Sequence, residues 1–486
     1  MGEELSLFGA EFNGSLRVEA RAERLTAEAG AVILREVIER LGIGRYLAER
    51  LDDPRNPDLI THPLIELLHT ELLRLGQGWF DRDDADVLRD DPAMRLSVST
   101  RRGVSPLRTR PVDEPKSKNP PEPDGLASQP TLSRLGRAIA TQENRTVLRE
   151  SLLVAAARRI KAGRGGHRMR YAAIDVDSLP IEVHGHQEGS EYNGHYHARI
   201  FHPLVASLAE TGDLIDLRLR KGNAHTAEGA LAFILPLLDR VEEELCQVAS
   251  VRFDAGFPEE ELLAGLEQRR TPYVARVRNN AVLDQMAEPY LRRPRGRRPV
   301  EPRVWFHEMS YAAASWSRAR RVVLVVLERE DDLFLHHFWL ITNWSEEQMP
   351  ASDLLELYRQ RGTAEGHFGE LMSVLDPALS SSPRQKSHYR DQSPTKRTPP
   401  GDAFAQNEVI LLLNALAYNV AHAARVLMEE ATGQGWSLLR VRERLLRVPA
   451  RVLLHGRRVL LVINETAARL WNTLWSRLSA FRFAET

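Results

Sequence analysis

The stretch Tyr171-Ala-Ala-Ile-Asp-Val-Asp-Ser-Leu179 limits the fold more than any other part of the chain. It alternates as a β-strand does, with Ile174 and Val176 facing one way and Asp175 and Asp177 the other. The apolar side asks for a sheet packed on a core. Two carboxylates on the opposite face repel each other unless positive charge lies between or beside them. Two explanations follow: an edge strand turned to solvent, or a metal site. Around this strand the chain reads β-β-β-α-β-α-β. Strands fall at 171–179, 199–208 and 214–220, with a hairpin turn around Thr211, Gly212 and Asp213. An amphipathic helix at 226–245 and a strand at 248–253 come next. Pro258 with Glu259, Glu260 and Glu261 opens a second helix, before a strand at 271–277. The order predicts an α/β core, a mixed sheet with helices packed on it.

With 486 residues, 43% hydrophobic and 27% charged, the chain has the composition of a globular protein and the length for several domains. That excludes collagen-like, coiled-coil and wholly disordered classes. Residues 1–165 read as mainly helical, on the spacing of Val32, Ile33, Val37, Ile38 and Leu41 and of Leu64, Leu67, Leu68 and Leu72. Within them, 101–129 is Pro-, Lys- and Arg-rich and reads as a flexible loop, after which Thr131 opens a helix towards 160. The core is assigned to 166–277 and 345–380, interrupted by a β-rich insertion at 278–344 with strands at 321–327 and 333–342. Residues 381–402 form a basic flexible loop, and 403–486 a helical C-terminal region. The longest apolar stretch, 409–424, is broken by Asn414, Asn419 and His422, so it reads as a buried helix and no membrane partner is expected. Cys246 alone excludes disulfides within the chain, and the acidic start from Gly2 to Ser6 is unlike a secretory signal. A cytoplasmic location is the simplest expectation.

Two further carboxylates stand where function gathers. Asp254 follows an apolar strand and precedes a helix, the position at which α/β sheets build sites and also an ordinary place for a turn or cap residue. In Tyr358-Arg-Gln-Arg-Gly-Thr-Ala-Glu365, residues Tyr358, Arg361 and Glu365 share one helical face with Leu354, Phe368 and Met372. That face should pack inward, and an inward Arg and Glu form either an internal ion pair or a site. Gly362, Gly366 and Gly369 in the same helix would let another element or a ligand approach closely. Carboxylates from three distant segments could hold two hard divalent cations, the arrangement that drives phosphodiester displacement.

Charge supports a polyanionic partner only locally. Lys and Arg total 66 against 67 Asp and Glu, a net charge of -1. Basic residues cluster at Arg292, Arg293, Arg295, Arg297 and Arg298, and again at Arg384, Lys386, Arg390, Lys396 and Arg397. A third cluster is Arg440, Arg442, Arg444, Arg447, Arg451, Arg457 and Arg458. Any one could be a solvated face.

The ordered set Asp177, Asp254 and Tyr358-x2-Arg361-x3-Glu365 resembles the DDE transposases of bacterial insertion sequences. Gln187-Glu-Gly, Tyr192-Asn-Gly, His202-Pro-Leu, Gly222-Asn-Ala and Arg252-Phe-Asp-Ala-Gly-Phe257 are similar to the insertion-sequence family numbered 1380. So are Trp79-Phe-Asp-Arg-Asp-Asp-Ala-Asp, Arg89-Asp-Asp-Pro and Ala127-Ser-Gln-Pro-Thr-Leu-Ser-Arg, and the likeness runs from about residue 26 to 480. The resemblance implies a ribonuclease-H-like core, with Asp177, Asp254 and Glu365 as catalytic residues that bind two Mg2+ ions, Mn2+ being able to substitute. Asp175 stays open as a ligand, because Asp177-Ser178-Leu179 matches the family's Asp-Ser/Thr-Thr at only its first two positions. Tyr358 and Arg361 would contact DNA near the cut, and Arg292, Arg293, Arg295, Arg297, Arg298, Lys386 and Arg390 would contact DNA elsewhere. The implied reaction is strand cleavage at transposon ends and transfer into target DNA, by a homodimer on double-stranded DNA in a bacterial, nucleoid-associated setting. The N-terminal helices would read the terminal inverted repeats. Met372 stands where the related signature has Lys, which favours the alternative of an inactive or repurposed DNA-binding protein. A nuclease without strand transfer is another. His184, His186, His195, His197 and His202 offer a third alternative, a zinc site.

Overall fold

The computed structural model describes residues 3–5, 12–13, 15–16, 18–20, 22–107, 125–183, 185–293, 301–330, 332–381 and 402–481. The chain divides into two compact units. One comprises Met1–Glu39, Arg55–Leu135 and Ala423–Ala480; the other comprises Arg40–Pro54, Gly136–His422 and Phe481–Thr486.

The second unit is built on an eight-stranded mixed sheet. In chain order its strands are β1 (Tyr171–Ser178), β2 (Leu204–Leu208), β3 (Leu214–Arg218), β4 (Gln247–Phe253), β5 (Tyr273–Val277), β6 (Arg303–Tyr311), β7 (Arg320–Glu328) and β8 (His336–Thr342). They lie in the order β6-β7-β8-β5-β4-β1-β2-β3. Strands β1, β4 and β5 run parallel, and every other pairing is antiparallel. Of the two explanations for the β1 carboxylates, the solvent-facing edge is excluded: β1 lies between β2 and β4. The expected strand at 199–208 is two elements, because Ala198–Phe201 pairs instead in a small sheet with Ile181–Glu182 and Glu191–Asn193.

The β-rich insertion is not a separate sheet. Strand β8 pairs with β5, so β6, β7 and β8 extend the core sheet. The reason is visible in β7, whose run Val322 to Val326 is apolar on both faces. Val322, Leu324 and Val326 enter one core cluster while Val323 and Val325 enter another, as in strands covered on both sides.

One face of the sheet packs Ile174, Val176, Val251 and Phe253 against helices α2 (Ala230–Glu244) and α3 (Glu260–Gln268). Helix α1 (Gln142–Gly163) packs beside β3. On the other face, Leu354 and Leu355 of helix α4 (Ala351–Arg359) meet Val274, Val323 and Leu340. The single helix expected to carry Leu354 through Met372 is two, since α4 stops at Arg359 and α5 (Arg361–Leu375) begins after Gln360. The helix opening at Thr131 is likewise divided, as Gln129–Ala138 and α1.

Helix α6 (Ala403–Thr432) contains the apolar stretch and is long and apolar enough to cross a membrane by length and composition, yet it is almost wholly buried inside the protein. Its interrupting polar residues have structural partners. The Asn419 amide accepts from the Leu214 N–H (3.0 Å) and donates to the Leu214 and Leu152 carbonyls (2.8 and 3.3 Å). His422 Nε2 lies 2.7 Å from the Thr211 carbonyl. These bonds satisfy backbone at the β3 edge that helix packing alone would leave unpaired.

The first unit holds helices Leu64–Gln77 and Pro92–Val98 and a three-stranded sheet of Arg24–Thr26, Ala450–His455 and Arg458–Ile463. Residues 403–481 are mainly helical, and this hairpin is the departure within them. Gly456, at φ 60°, makes its tight turn, and the segment alternates with period two. The expected loops at 101–129 and 381–402 lie mostly outside the described residues; Ser105–Leu107 within the first forms a short 3-10 turn with Pro106 and Leu107 buried.

Replacing Asn419 with Leu strands the N–H and C=O of Leu214 without partners, at about 1–3 kcal/mol for each buried group. Asn419→Leu should therefore lower the unfolding free energy by several kcal/mol, read as a lower midpoint in urea titration. A variant as stable as wild type would show that water or local shifts replace the amide.

Candidate active site

The geometry begins with strand register. In the parallel pair, Arg252 of β4 lies opposite Asp175 of β1, and Phe253 lies opposite Val176. Asp254 therefore emerges at the end of β4 beside Asp177, both on the face that also carries Asp175 and Arg252. The apolar residues between them, Val176 and Phe253, are fully buried on the opposite face. Two carboxylates thus meet at the C-terminal ends of neighbouring parallel strands, where α/β sheets place their sites.

The lower pair of this face is neutralised within the protein. Arg252 donates from Nε and Nη2 to both oxygens of Asp175, each at 2.6 Å, and both side chains are 1% exposed. Burial raises the Asp175 pKa above its ordinary value, and the hydrogen-bonded Arg252 guanidinium offsets only part of that rise. Asp175, held open as a ligand, has both oxygens occupied by Arg252.

The upper pair is organised by α5. Arg361 is buried in the first turn of that helix and reaches Asp177 Oδ2 at 2.8 Å and Glu365 Oε1 at 2.5 Å. Its guanidinium is the positive charge between two carboxylates that the inward stripe demanded. The stripe itself is only partly as expected. Leu354 and Phe368 are buried, Tyr358 and Met372 half-buried, and Glu365 has a side chain 60% exposed. Glu365 thus stands at the open rim of the site.

The electrostatics single out Asp177. Burial pushes its pKa up to about 6, against the attraction of Arg361 and the Ser178 N–H bond, with Asp254 and Glu365 adding repulsion. The last two effects require all three carboxylates to share one local field. Tyr196 shares it too, because burial and then Asp177 and Asp254 raise its pKa. It sits at the turn leading into the Ala198–Phe201 strand, between the exposed His195 and His197, and its ring meets His202 edge-on at 5.8 Å. Sequence reasoning noticed the histidines and passed over this tyrosine; the left-handed backbone of His197 (φ 53°), which follows it, is not visible in composition. Tyr358 is also raised by burial, with Arg361 opposing and Asp254 reinforcing.

The donor set Asp177, Asp254 and Glu365 is anionic and all-oxygen, the chemistry that suits a hard divalent cation. Among the described residues no group of three or more His, Cys, Asp or Glu converges as a ligand cage, and Arg361 supplies the counter-charge instead. The expected zinc histidines are dispersed in role: His202 is buried and bonded to the Ala224 carbonyl at 3.0 Å, His186, His195 and His197 are exposed, and His184 lies outside the described residues.

Of the expected basic contacts, Arg292 is exposed, while Arg293 donates to the Asp332 carbonyl and lies 3.6 Å from Glu328. Arg295, Arg297, Arg298, Lys386 and Arg390 lie outside the described residues. In the other unit, part of the third cluster is structural. Arg447 donates to the Gln77 and Gly78 carbonyls, and the Arg442 guanidinium lies over the Phe80 ring at 5.1 Å. Gly362, Gly366 and Gly369 face open space, so among the described residues no element uses the close approach they permit.

A family model described as transposase DDE domain group 1 matches residues 8–481. Among solved structures, the chain is similar to the piggyBac transposase in a synaptic complex with hairpin DNA, seen by cryo-electron microscopy. That match has 13% identity and a TM-score of 0.35, and covers 93% of this chain and 80% of that one. No curated protein matches.

The field at Asp177 has a pH signature. Its carboxyl ionises near 6 in the folded protein and near the ordinary 3.8 when unfolded, so folding bears a cost that is complete above about pH 6 and fades as pH falls towards 4. Arg361→Gln removes the attraction that limits this cost. The variant should lose more thermal stability at pH 7.5 than at pH 5 in metal-free buffer, and added Mn2+ should recover part of the loss. An equal loss at both pH values would detach Arg361 from Asp177.

Proposed function

The chain belongs to the transposase DDE domain group 1 family, and from that premise we propose a DNA transposase that cuts at the terminal inverted repeats of its element and transfers the freed ends into target DNA. The observation that carries this reading is the meeting of Asp177 and Asp254 on neighbouring parallel strand ends, with Glu365 tied to the same place through Arg361. We assign the core a ribonuclease-H-like fold. Its support is the strand order β3-β2-β1-β4-β5, three parallel strands flanked on one side by two antiparallel ones. The insertion-sequence family numbered 1380, a bacterial origin and a cytoplasmic, nucleoid-associated location belong to the same proposal and rest on the sequence motifs.

Asp177, Asp254 and Glu365 would hold two Mg2+ ions, or Mn2+ in their place, which supply activation of the attacking oxygen and neutralisation of the leaving one. The remaining work falls to the chain. In the first step, water oxygen bonds to phosphorus and the bond from phosphorus to O3′ breaks, leaving a 3′-hydroxyl and a 5′-phosphate. In the second, the oxygen of that hydroxyl bonds to a target phosphorus as the target's own bond from phosphorus to O3′ breaks. The transposon end is thereby joined to the target 5′ side and a target 3′-hydroxyl is released; the proton lost by the attacking hydroxyl is balanced by the one the leaving oxygen takes up. Arg361, once its fork is released from Asp177 and Glu365, can grip a phosphate in bidentate fashion. Tyr358 stands one helical turn before it with its ring half-buried, which fixes where its hydroxyl meets DNA. Arg292 and the basic residues Arg293, Arg295, Arg297, Arg298, Lys386 and Arg390 would contribute phosphate contacts away from the cut. Two ends must be held for transfer, so the working form is a homodimer on double-stranded DNA.

One observation favours a second reading, a transposase-derived binder without chemistry. Met372, where the related signature carries a Lys, is half-buried in α5 and supplies no charge to a phosphate.

Purified protein, labelled DNA bearing the flanking element's ends, and Mg2+ or Mn2+ distinguish the two. Metal-dependent cuts at the boundary are expected. Asp254→Asn and Glu365→Gln should each reduce cutting by at least about 100-fold while end binding persists, since an interaction used in the transition state is lost and ground-state contacts remain. Specific binding with no cutting by the wild-type protein would establish the second reading.

A further inference from the structure

We infer that Arg252 is a positioning residue: it fastens the start of the Glu365 helix to the strand that carries Asp177, and Asp175 is its anchor. The inference rests on the transposase reading for its catalytic consequence but stands on geometry that is separate from the reacting carboxylates.

The side chain is fully committed. Nε and Nη2 are spent on Asp175, and the third nitrogen, Nη1, donates to the Leu357 carbonyl at 3.0 Å and to Gln360 Oε1 at 3.3 Å. Leu357 and Gln360 flank the point where α4 ends and α5 begins. A continuous helix would pair the Leu357 carbonyl with the N–H four residues on. Here the guanidinium supplies that donor from the sheet. One residue after Gln360 comes Arg361, and one helical turn further comes Glu365.

Energetics argue for orientation over stability. Removing a guanidinium and a carboxylate from water costs several kcal/mol per ion, and a well-packed apolar pair often holds a fold at least as firmly. What an apolar pair cannot do is fix the angle at which α5 leaves the break. The strut also lies one step below the site on the same sheet face, Arg252 two residues before Asp254 and Asp175 two before Asp177. A slip of α5 at this point would move Glu365 and Arg361 together relative to both aspartates. Misplacement of about 1 Å is enough to cost roughly 100-fold in rate.

Two variants of the full-length protein test this. Arg252→Met combined with Asp175→Leu removes both charges and keeps volume, while Arg252→Lys keeps the charge and loses the fork. Each would be compared with wild type in thermal unfolding, in hydrogen exchange of the peptides covering α5 and β4, and in cleavage of end DNA as a function of Mn2+ concentration. The expected result is a folded protein whose α5 amides exchange roughly tenfold faster or more while those of β4 do not. Cutting should fall by roughly 10- to 100-fold and the half-maximal Mn2+ concentration should rise, with end binding retained. Wild-type cutting with a wild-type Mn2+ midpoint in either folded variant would overturn the inference. So would a loss of cutting that only follows the folded fraction, with α5 exchange unaltered. If wild type fails to cut while α5 exchange still rises in the variants, the positioning role stands and the transposase reading falls.

Discussion

Parallel pairing of β4 with β1, in the register that sets Arg252 beside Asp175, is the constraint from which the site follows. Shifting that register by one residue would turn Asp254 to the opposite face and set Phe253 among charges. The register is held from both faces. Beneath, Ile174, Val176, Val251 and Phe253 fill one core cluster. Above, the buried guanidinium matches a single carboxylate with two bonds, a fit that tolerates no slippage. The apolar face therefore makes the sheet stable, and the polar face makes it unique.

The unit contains other buried carboxylates, and they differ from Asp177 in how fully their charge is compensated. Asp216 receives a bidentate contact from Arg149 and another bond from Arg240, at 2.8–2.9 Å. Asp213 is fully buried, yet Arg159 and His422 outweigh the burial and hold its pKa below the ordinary value. Asp177 is pushed the other way, up to about 6, by burial joined to the repulsion of Asp254 and Glu365. One shared arginine does not saturate this group of acids. That residual repulsion is the physical reason to expect added positive charge at this place and not at the β3 edge.

Much of this was legible. The alternation of Ile174 and Val176 with two aspartates located the central strand, and the Asp254 position followed from an apolar strand meeting an acidic helix start. The spacing of Arg361 and Glu365 placed both near one site, and Arg361 was rightly read as an inward charge needing partners. The misses have local causes. Gln360 gives no sequence sign of a helix break, because the Leu357 carbonyl is claimed by Arg252, more than 100 residues away. Arg252 itself looked like part of a motif, its role depending on a neighbour strand that no local pattern reveals. Residues 450–463 carry Leu, Val and Arg in proportions a helix accepts, and Gly456 alone marked the hairpin. The β-rich character of 278–344 was legible, but its joining to the core sheet was not, because the pairing of β8 with β5 is a contact that no local pattern reveals.

The exposure of Glu365 agrees with the proposed substrate. If that substrate is a duplex, which cannot enter a closed pocket, its site must lie at a rim. Asp177, with a side chain 17% exposed, forms the floor, and Glu365, at 60%, forms the outer wall. On the same helix Gly362, Gly366 and Gly369 present a bare surface: among the described residues, nothing outside the helix's own neighbouring backbone lies within 4 Å of where a side chain would begin. A rim built this way lets backbone approach the helix without steric cost, while Arg361 stays buried close beneath it. The cost of such openness is that α5 has few side chains to hold it from the solvent side. Its placement then depends on contacts from below, through Phe368 and Leu371 and through the break at Gln360 that Arg252 spans.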